Sequence, residues 1–297
     1  MEMNVGFIGL GMMGTPMAMR LLKGGYRLSV FNRTPVKAKN LVAEGARWCD
    51  SPTAVSEASG IVFSMVANPG ALREIALGPH GVLQGFGENK IHIDSSTVSP
   101  ALTRELAEHY RDRGCSFLHA PVLGSIPQAT EGSLLLFVGG DEIAYGRSAP
   151  LLNLLGKRIW RFAHAEQASH MKLLCNSFIA GMITVLGQAL IYARKAEVDP
   201  RTLLEILGQS QLNSPMYQTK GSSIIEGNFA PRFFLEHMLK DIDLVLDSAE
   251  ELGVSLPVMQ AAQQLFEQAH QSGLGKEDYS AVVKVLSTYV RGRDQAS

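Results

Sequence analysis

Only three cysteines occur, Cys49, Cys115 and Cys175, an odd number with no CxxC spacing. That excludes a disulfide framework and a zinc site built on cysteine pairs, and a reducing, cytoplasmic setting suits such a chain. Charge of one sign is missing as well: 27 Lys and Arg face 28 Asp and Glu, for a net charge of −1 and a pI near 6.7. Neither nucleic acid nor an acidic membrane is attracted by such a balance, so the expected partners are small molecules and further copies of the chain. The beginning, MEMNVGFIGLG, lacks a basic stretch followed by an apolar run and a cleavage site, so no signal peptide is expected. One apolar run, Ser177 to Ala193, approaches the length of a membrane span. It contains Gln188 and starts directly after Asn176, which favours a core helix. Solenoid-length repeats and low-complexity tracts are absent too. What remains is a globular mixture, 46% hydrophobic and 19% charged over 297 residues, long enough for two domains.

The first half alternates strands with helices. Val5 to Leu10 is a short apolar run entering Gly9-Leu10-Gly11-Met12-Met13-Gly14, after which PMAMRLLKGG reads as a helix closed by Gly24-Gly25. Strand, glycine turn and helix form the context in which GxGxxG binds a dinucleotide. One glycine makes the tight turn, one lets the backbone approach a pyrophosphate, and one lets helix pack on strand, while the helix N-terminus faces the phosphate. The second strand, Arg27 to Phe31, ends in Asn32-Arg33-Thr34-Pro35. An NAD enzyme normally carries an acid here for the ribose hydroxyls. Asn32 does not repel a 2′-phosphate and the Arg33 guanidinium pairs with one, so NADPH is expected over NADH. Thr34 before Pro35 also matches a helix N-cap followed by proline at the first helical position.

Ala46 to Trp48, Ile61 to Val66, Lys90 to Asp94, Ser116 to Val122, Ser133 to Val138 and Arg158 to Phe162 bring the strand count to about eight. Loops after the carboxyl ends of parallel strands line the ligand crevice, which places Met65, Val66 and Ala67 along the cofactor and Ser95, Ser96 and Thr97 on the same edge. In the loop HAPVLGSIPQATEG, Gly124 and Ser125 are candidates to turn backbone N–H groups toward a carboxylate.

From Ala165 to Glu197 the sequence predicts one long helix without proline. Phe178, Ile179, Met182, Val185, Leu186, Leu190 and Ile191 surround its axis, the pattern of a helix buried on most sides. Lys172 and Asn176 break that pattern, and a spacing of four puts both on one face, one turn apart. Afterwards nearly everything reads as helix. Asp199-Pro200 and Ser214-Pro215 are starts, and Gly208, Gly227, Gly253 and Gly273 are stops. Leu235 to Leu252 is amphipathic, with Lys240 and Asp241 either facing the cleft or, by default for such charges, forming a solvated face, and a last helix is expected near Tyr279 to Arg291. The fold class is therefore an α/β Rossmann-type N-terminal domain with a mostly parallel sheet, residues 1–163. An all-α C-terminal domain, 164–297, serves substrate binding and oligomerisation, and a long interdomain helix joins the two.

These motifs together resemble the β-hydroxyacid dehydrogenase family, which includes 3-hydroxyisobutyrate dehydrogenases and glyoxylate/succinic semialdehyde reductases. The resemblance covers essentially the whole length, through GFIGLGMMGTPMAMRLLKGG, DSSTVSP, HAPVLGSIPQATEG, HMKLLCN and KDIDLVL in that order. NRTPVK is similar to the NADPH-preferring reductase branch, which also tends to carry GS where Gly124-Ser125 stands. The resemblance implies hydride transfer between NADP(H) and a small hydroxyacid or semialdehyde, with no metal. Lys172 would be the catalytic acid and base, Asn176 its neighbour, Thr97 and Gly124 substrate contacts, and Lys240 the residue beside the nicotinamide. A homodimer or homotetramer is implied by the apolar helices after residue 165. Two departures stand out. Leu123 occupies the position where the family usually has a serine, and Ile126-Pro127 replace basic residues common in the reductase branch. Alternatives are an imine reductase, where Asp or Tyr typically replaces the lysine, and an NADPH-binding protein without catalysis.

Overall fold

The structure is a computed structural model, and it describes residues 4–289. The end of the last expected helix, residues 290 and 291, and the polar tail lie outside the described residues. By its internal contacts the chain forms two compact units, one up to Lys172 and one from Leu173 on.

The first unit is built on nine strands: β1 (Asn4–Ile8), β2 (Arg27–Phe31), β3 (Arg47–Trp48), β4 (Ile61–Ser64), β5 (Ile91–Asp94), β6 (Ser116–His119), β7 (Val122–Leu123), β8 (Leu134–Gly139) and β9 (Gly156–Phe162). Their order is β3-β2-β1-β4-β5-β6-β8-β7, with β9 also on β8. From β3 to β6 all neighbours run parallel; β8 joins β6 antiparallel, β7 joins β8 antiparallel, and β9 returns parallel to β8. The chain winds outward from β1 to β3 and then crosses back to β4. The switch point of the sheet, where ligands of such folds bind, therefore lies beyond the carboxyl ends of β1 and β4. Alternate residues feed two cores. Val5, Phe7, Ile61, Phe63, Ile91, Ile93 and Leu118 pack on one face, and Ile8, Val62 and Phe117 on the other.

Helices α1 (Gly14–Lys23), α2 (Lys39–Ala43), α3 (Pro52–Glu57), α4 (Pro69–Leu77), α5 (Pro100–Asp112), α6 (Ile126–Glu131) and α7 (Glu142–Leu155) connect the strands. Three start alike, with proline in the first turn and a side chain that satisfies an otherwise orphaned N–H: Ser51 accepts from Ala54, Asn68 from Ala71 and Ser99 from Leu102. Thr34 departs from this plan. Its side chain makes no cap bond, and Pro35–Ala38 is a single 3-10 turn. The segment expected as one strand, Ser116 to Val122, splits in two. Pro121 has no N–H to donate to a ladder, and the chain turns there from β6 to β7.

The long helix α8 (Ala165–Lys195) has 31 residues, about 46 Å at the standard rise. By length and composition alone it could cross a membrane. In the second unit Ile183, Leu186 and Leu190 of α8 pack in one core with Met238 and Ile242 of α11 (Leu235–Glu251) and Phe266 of α12 (Pro257–Ala269). The expectation of burial on most sides does not hold for Phe178 and Val185, which are exposed. They are exposed because only one flank of α8 meets the other helices of its unit. The remaining helices there are α9 (Pro200–Gln209), α10 (Pro215–Ile225) and α13 (Val282–Leu286). Gly227 and Gly253 end helices with φ of 69° each, whereas Gly208 is not a stop and lies inside α9.

Candidate functional site

The glycine turn joins β1 to α1 at the switch point. Gly9 has φ of 94°, and a Cβ there would strike the Met65 carbonyl at the end of β4; a Cβ on Gly14 would strike the Gly9 carbonyl. Those two glycines are required by the protein's own packing. At Gly11 an added Cβ meets nothing within 4 Å, so the turn leaves open space there. The first turn of α1 carries no acid, and no side chain caps it. This open cradle at a helix N-terminus fits a pyrophosphate. Met12 is exposed and Met13 half-buried beside it.

Asn32 stitches this turn to the next loop. Its Oδ1 accepts from Leu10 N–H at 2.9 Å, and its Nδ2 donates to the Thr34 carbonyl at 2.9 Å. Both ends of the amide are used inside the protein, so Asn32 shapes the turn, and Arg33 and Thr34 beside it are exposed.

At the ends of β4 and β5, Met65 N–H donates to the Ile8 carbonyl at 2.9 Å, and Val66 N–H donates to Ser96 Oγ at 2.9 Å. Ser96 is fully buried, and its hydroxyl accepts from Val66 N–H and donates to Asp94, which supports the loop. Thr97 is half-buried at the edge. Ser169, in the first turns of α8, donates to the Val98 carbonyl at 2.5 Å, tying the start of that helix to this loop.

The elaborate loop after β6 contains β7 and α6. Leu123 is half-buried on β7 and pairs with Leu135. Gly124 has φ of 145°, a backbone that only glycine adopts easily. Ser125 and Gln128 form a capping box, in which Ser125 N–H donates to Gln128 Oε1 at 2.9 Å. Of the two amides expected to face a carboxylate, the Ser125 N–H is thus engaged within its own loop.

Lys172 is half-buried on α8, and Asn176 follows one turn later, 3% exposed. In the second unit Asn176 Nδ2 donates to Asp241 Oδ2 at 2.6 Å, and Lys240 Nζ is 2.8 Å from Asp241 Oδ1. A carboxylate only accepts, so the amide must turn its nitrogen to Asp241 and its oxygen away. Asp241, 1% exposed, belongs to no solvated face, contrary to the sequence expectation. The signal was present: Leu235, Met238, Asp241, Ile242, Val245 and Ser248 repeat at three and four residues, which puts Asp241 on the buried stripe of α11.

A family profile described as the NAD binding domain of 6-phosphogluconate dehydrogenase matches residues 4–164, and one described as the NAD-binding of NADP-dependent 3-hydroxyisobutyrate dehydrogenase matches 167–286. The chain is 36% identical over 284 residues to glyoxylate/succinic semialdehyde reductase 1 of Arabidopsis thaliana, covering 96% of this chain and 98% of that protein. The chain belongs to the β-hydroxyacid dehydrogenase family. It is 34% identical to 2-(hydroxymethyl)glutarate dehydrogenase of Eubacterium barkeri, covering 96% and 95%. The crystal structure of 3-hydroxyisobutyrate dehydrogenase from Salmonella typhimurium superposes with a TM-score of 0.87 at 27% identity, covering 95% of this chain and 99% of that one. As a member of this β-hydroxyacid dehydrogenase family the protein is an NAD(P)-dependent oxidoreductase.

Proposed function

We propose that the protein is an NADPH-dependent reductase of small aldehydes, with semialdehyde acids as the first class to test, and that Lys172 is its general acid and base. The observation that carries this reading is the buried Asn176–Asp241 hydrogen bond, which fixes an amide one helical turn from Lys172. Bound NADPH supplies the hydride. Lys172, as ammonium, hydrogen-bonds the carbonyl oxygen and passes it a proton as the alkoxide develops; oxidation of the alcohol reverses both transfers. Asn176, with one Nδ2 hydrogen given to Asp241, offers its oxygen to Lys172 or to the substrate hydroxyl. Arg33 takes the 2′-phosphate, and the lack of an acid at the end of β2 supports NADPH over NADH. The family resemblance assigns Lys240 a role toward the nicotinamide.

Thr97 and the Gly124 amide hold the acid end of the substrate. Leu123 brings no hydroxyl there and the Ser125 N–H is engaged, so a small carboxylate finds few donors. The protein associates with further copies of itself through the exposed apolar face of α8, as a homodimer or homotetramer.

Steady-state turnover with NADPH and NADH over glyoxylate, succinic semialdehyde and larger aldehydes tests the reading. A kcat/KM at least about tenfold higher with NADPH is expected, with Lys172→Ala reducing turnover by about 10²-fold or more in a folded protein. Activity confined to uncharged carbonyls would keep the chemistry and overturn the semialdehyde acids. Lys172→Ala retaining more than about a tenth of wild-type turnover would overturn the role of the lysine.

A further inference from the structure

Parallel strands bury apolar side chains on both faces, so a carboxylate at the end of a central strand needs a reason. Asp94 ends β5 with no exposure. In register, Ser64 of β4, Asp94 of β5 and His119 of β6 lie side by side across the sheet, on the last residues before the crevice loops. Ser64 Oγ donates to Asp94 Oδ1 at 2.6 Å, Ser96 Oγ donates to the same oxygen at 2.8 Å, and Ser96 N–H donates to Oδ2 at 3.1 Å. His119 Nδ1 stands 3.4 Å from Oδ2, too poorly aligned to be a hydrogen bond.

This network has a direction. Ser64 has one proton and gives it to the carboxylate, so its oxygen accepts from His92 Nε2–H at 2.8 Å. The bare Nδ1 of His92 then accepts from the Tyr110 hydroxyl at 2.6 Å. His92 is therefore neutral, in agreement with burial, which pushes its pKa down to about 4. At the other end Ser96 gives its proton to Asp94 and accepts from Val66 N–H.

We propose that Asp94 is a positioning residue whose carboxylate, acting through the Ser96 hydroxyl, holds the Val66 N–H and so sets the two loops that line the cofactor crevice, Met65–Val66 and Ser95–Thr97. The inference rests on the dinucleotide-binding reading and on no choice of substrate. A row with only a packing role is filled by apolar side chains, as Ile93 and Leu118 fill the opposite face, without the desolvation cost of a buried carboxylate.

The test is NADPH affinity, read by nucleotide fluorescence on the full chain for wild type, Asp94→Asn, Ser96→Ala, their double variant and Tyr110→Phe. Asp94→Asn and Ser96→Ala are each expected to raise Kd about fivefold or more, and the double to lie within about twofold of the weaker single, because both cut one path. Tyr110→Phe cuts the far end of the network; it should lower thermal stability and leave Kd within about twofold. Additive effects, an unchanged Kd in folded Asp94→Asn, or a Tyr110→Phe effect as large as that of Asp94→Asn would each overturn the proposal. If Asp94→Asn does not fold, an unchanged Kd in Ser96→Ala overturns it alone. A wild-type protein binding neither NADPH nor NADH would overturn the parent reading and this inference with it, whereas the other failures leave the parent reading standing.

Discussion

Asn32 is the residue at which a single atom decides the outcome. Its amide nitrogen donates to the Thr34 carbonyl while its oxygen holds Leu10 N–H, and an aspartate of the same shape would lose the donor and repel a 2′-phosphate. Asn32→Asp should therefore raise the NADPH Kd by about tenfold or more and the NADH Kd by less. A fluorescence titration with both nucleotides decides it, and equal effects on the two would sink the idea. His92 carries a prediction about pH. Its folded pKa, about 4, lies below the ordinary 6.5, so between those values the unfolded chain binds the proton more readily. Stability is fully present above 6.5 and falls as pH drops toward 4, by roughly 3 kcal/mol from this group. Burial pushes the Asp94 carboxyl up, but the neighbouring His119 imidazole and the Ser64 hydroxyl outweigh it and hold Asp94 below the usual carboxylate range, so it adds a further loss only below its ordinary 3.8. Denaturant unfolding from pH 7 to pH 4 measures the slope, and a flat or inverted profile would refute it.

Among the elements, α8 raises the question of what covers it. Leu174, Phe178, Val185 and Tyr192 are 56, 72, 57 and 76% exposed and follow one another at four, seven and seven residues, a continuous stripe down one side. Phe178→Glu combined with Val185→Glu should at least halve the mass seen by light scattering while the circular dichroism spectrum is kept; an unaltered mass would remove the stripe from any role in self-association. The sequence made this helix legible because it has no proline and holds good helix formers throughout. It did not show which flank is covered, since that depends on α11 and α12, far along the chain. The strands were legible for a related reason: fully buried parallel strands are short unbroken apolar runs. Ser116 to Val122 reads as one run because Phe117, Leu118, Ala120 and Val122 keep it mostly apolar, and the missing N–H of Pro121 divides it. For the candidate site, spacing put Lys172 and Asn176 on one helix face and the family resemblance gave them their proposed roles, but Asp241 lies 65 residues from Asn176 and the Ser96 partner of Val66 lies 30 away, and no local pattern reports such pairings.

Across the whole molecule, cofactor binding should be visible as stability. A ligand that binds only the folded state adds about 2.7 kcal/mol at a concentration 100 times its Kd. The melting of the sheet unit should therefore shift upward by several degrees with saturating NADPH, and by less with NADH at the same concentration. Calorimetry at matched concentrations checks this, and equal shifts would contradict the NADPH preference. The order of the parts along the chain also matters while the protein is being made. All nine strands are complete at Phe162, and 125 residues (297 − 172) still follow the first compact unit. At about 5–20 residues per second, translation of that remainder lasts roughly 6–25 s. Until α11 and α12 have been made, the completed strands carry an emerging α8 whose core partners do not yet exist, so for the earlier part of that interval the nascent chain offers chaperones a long apolar helix.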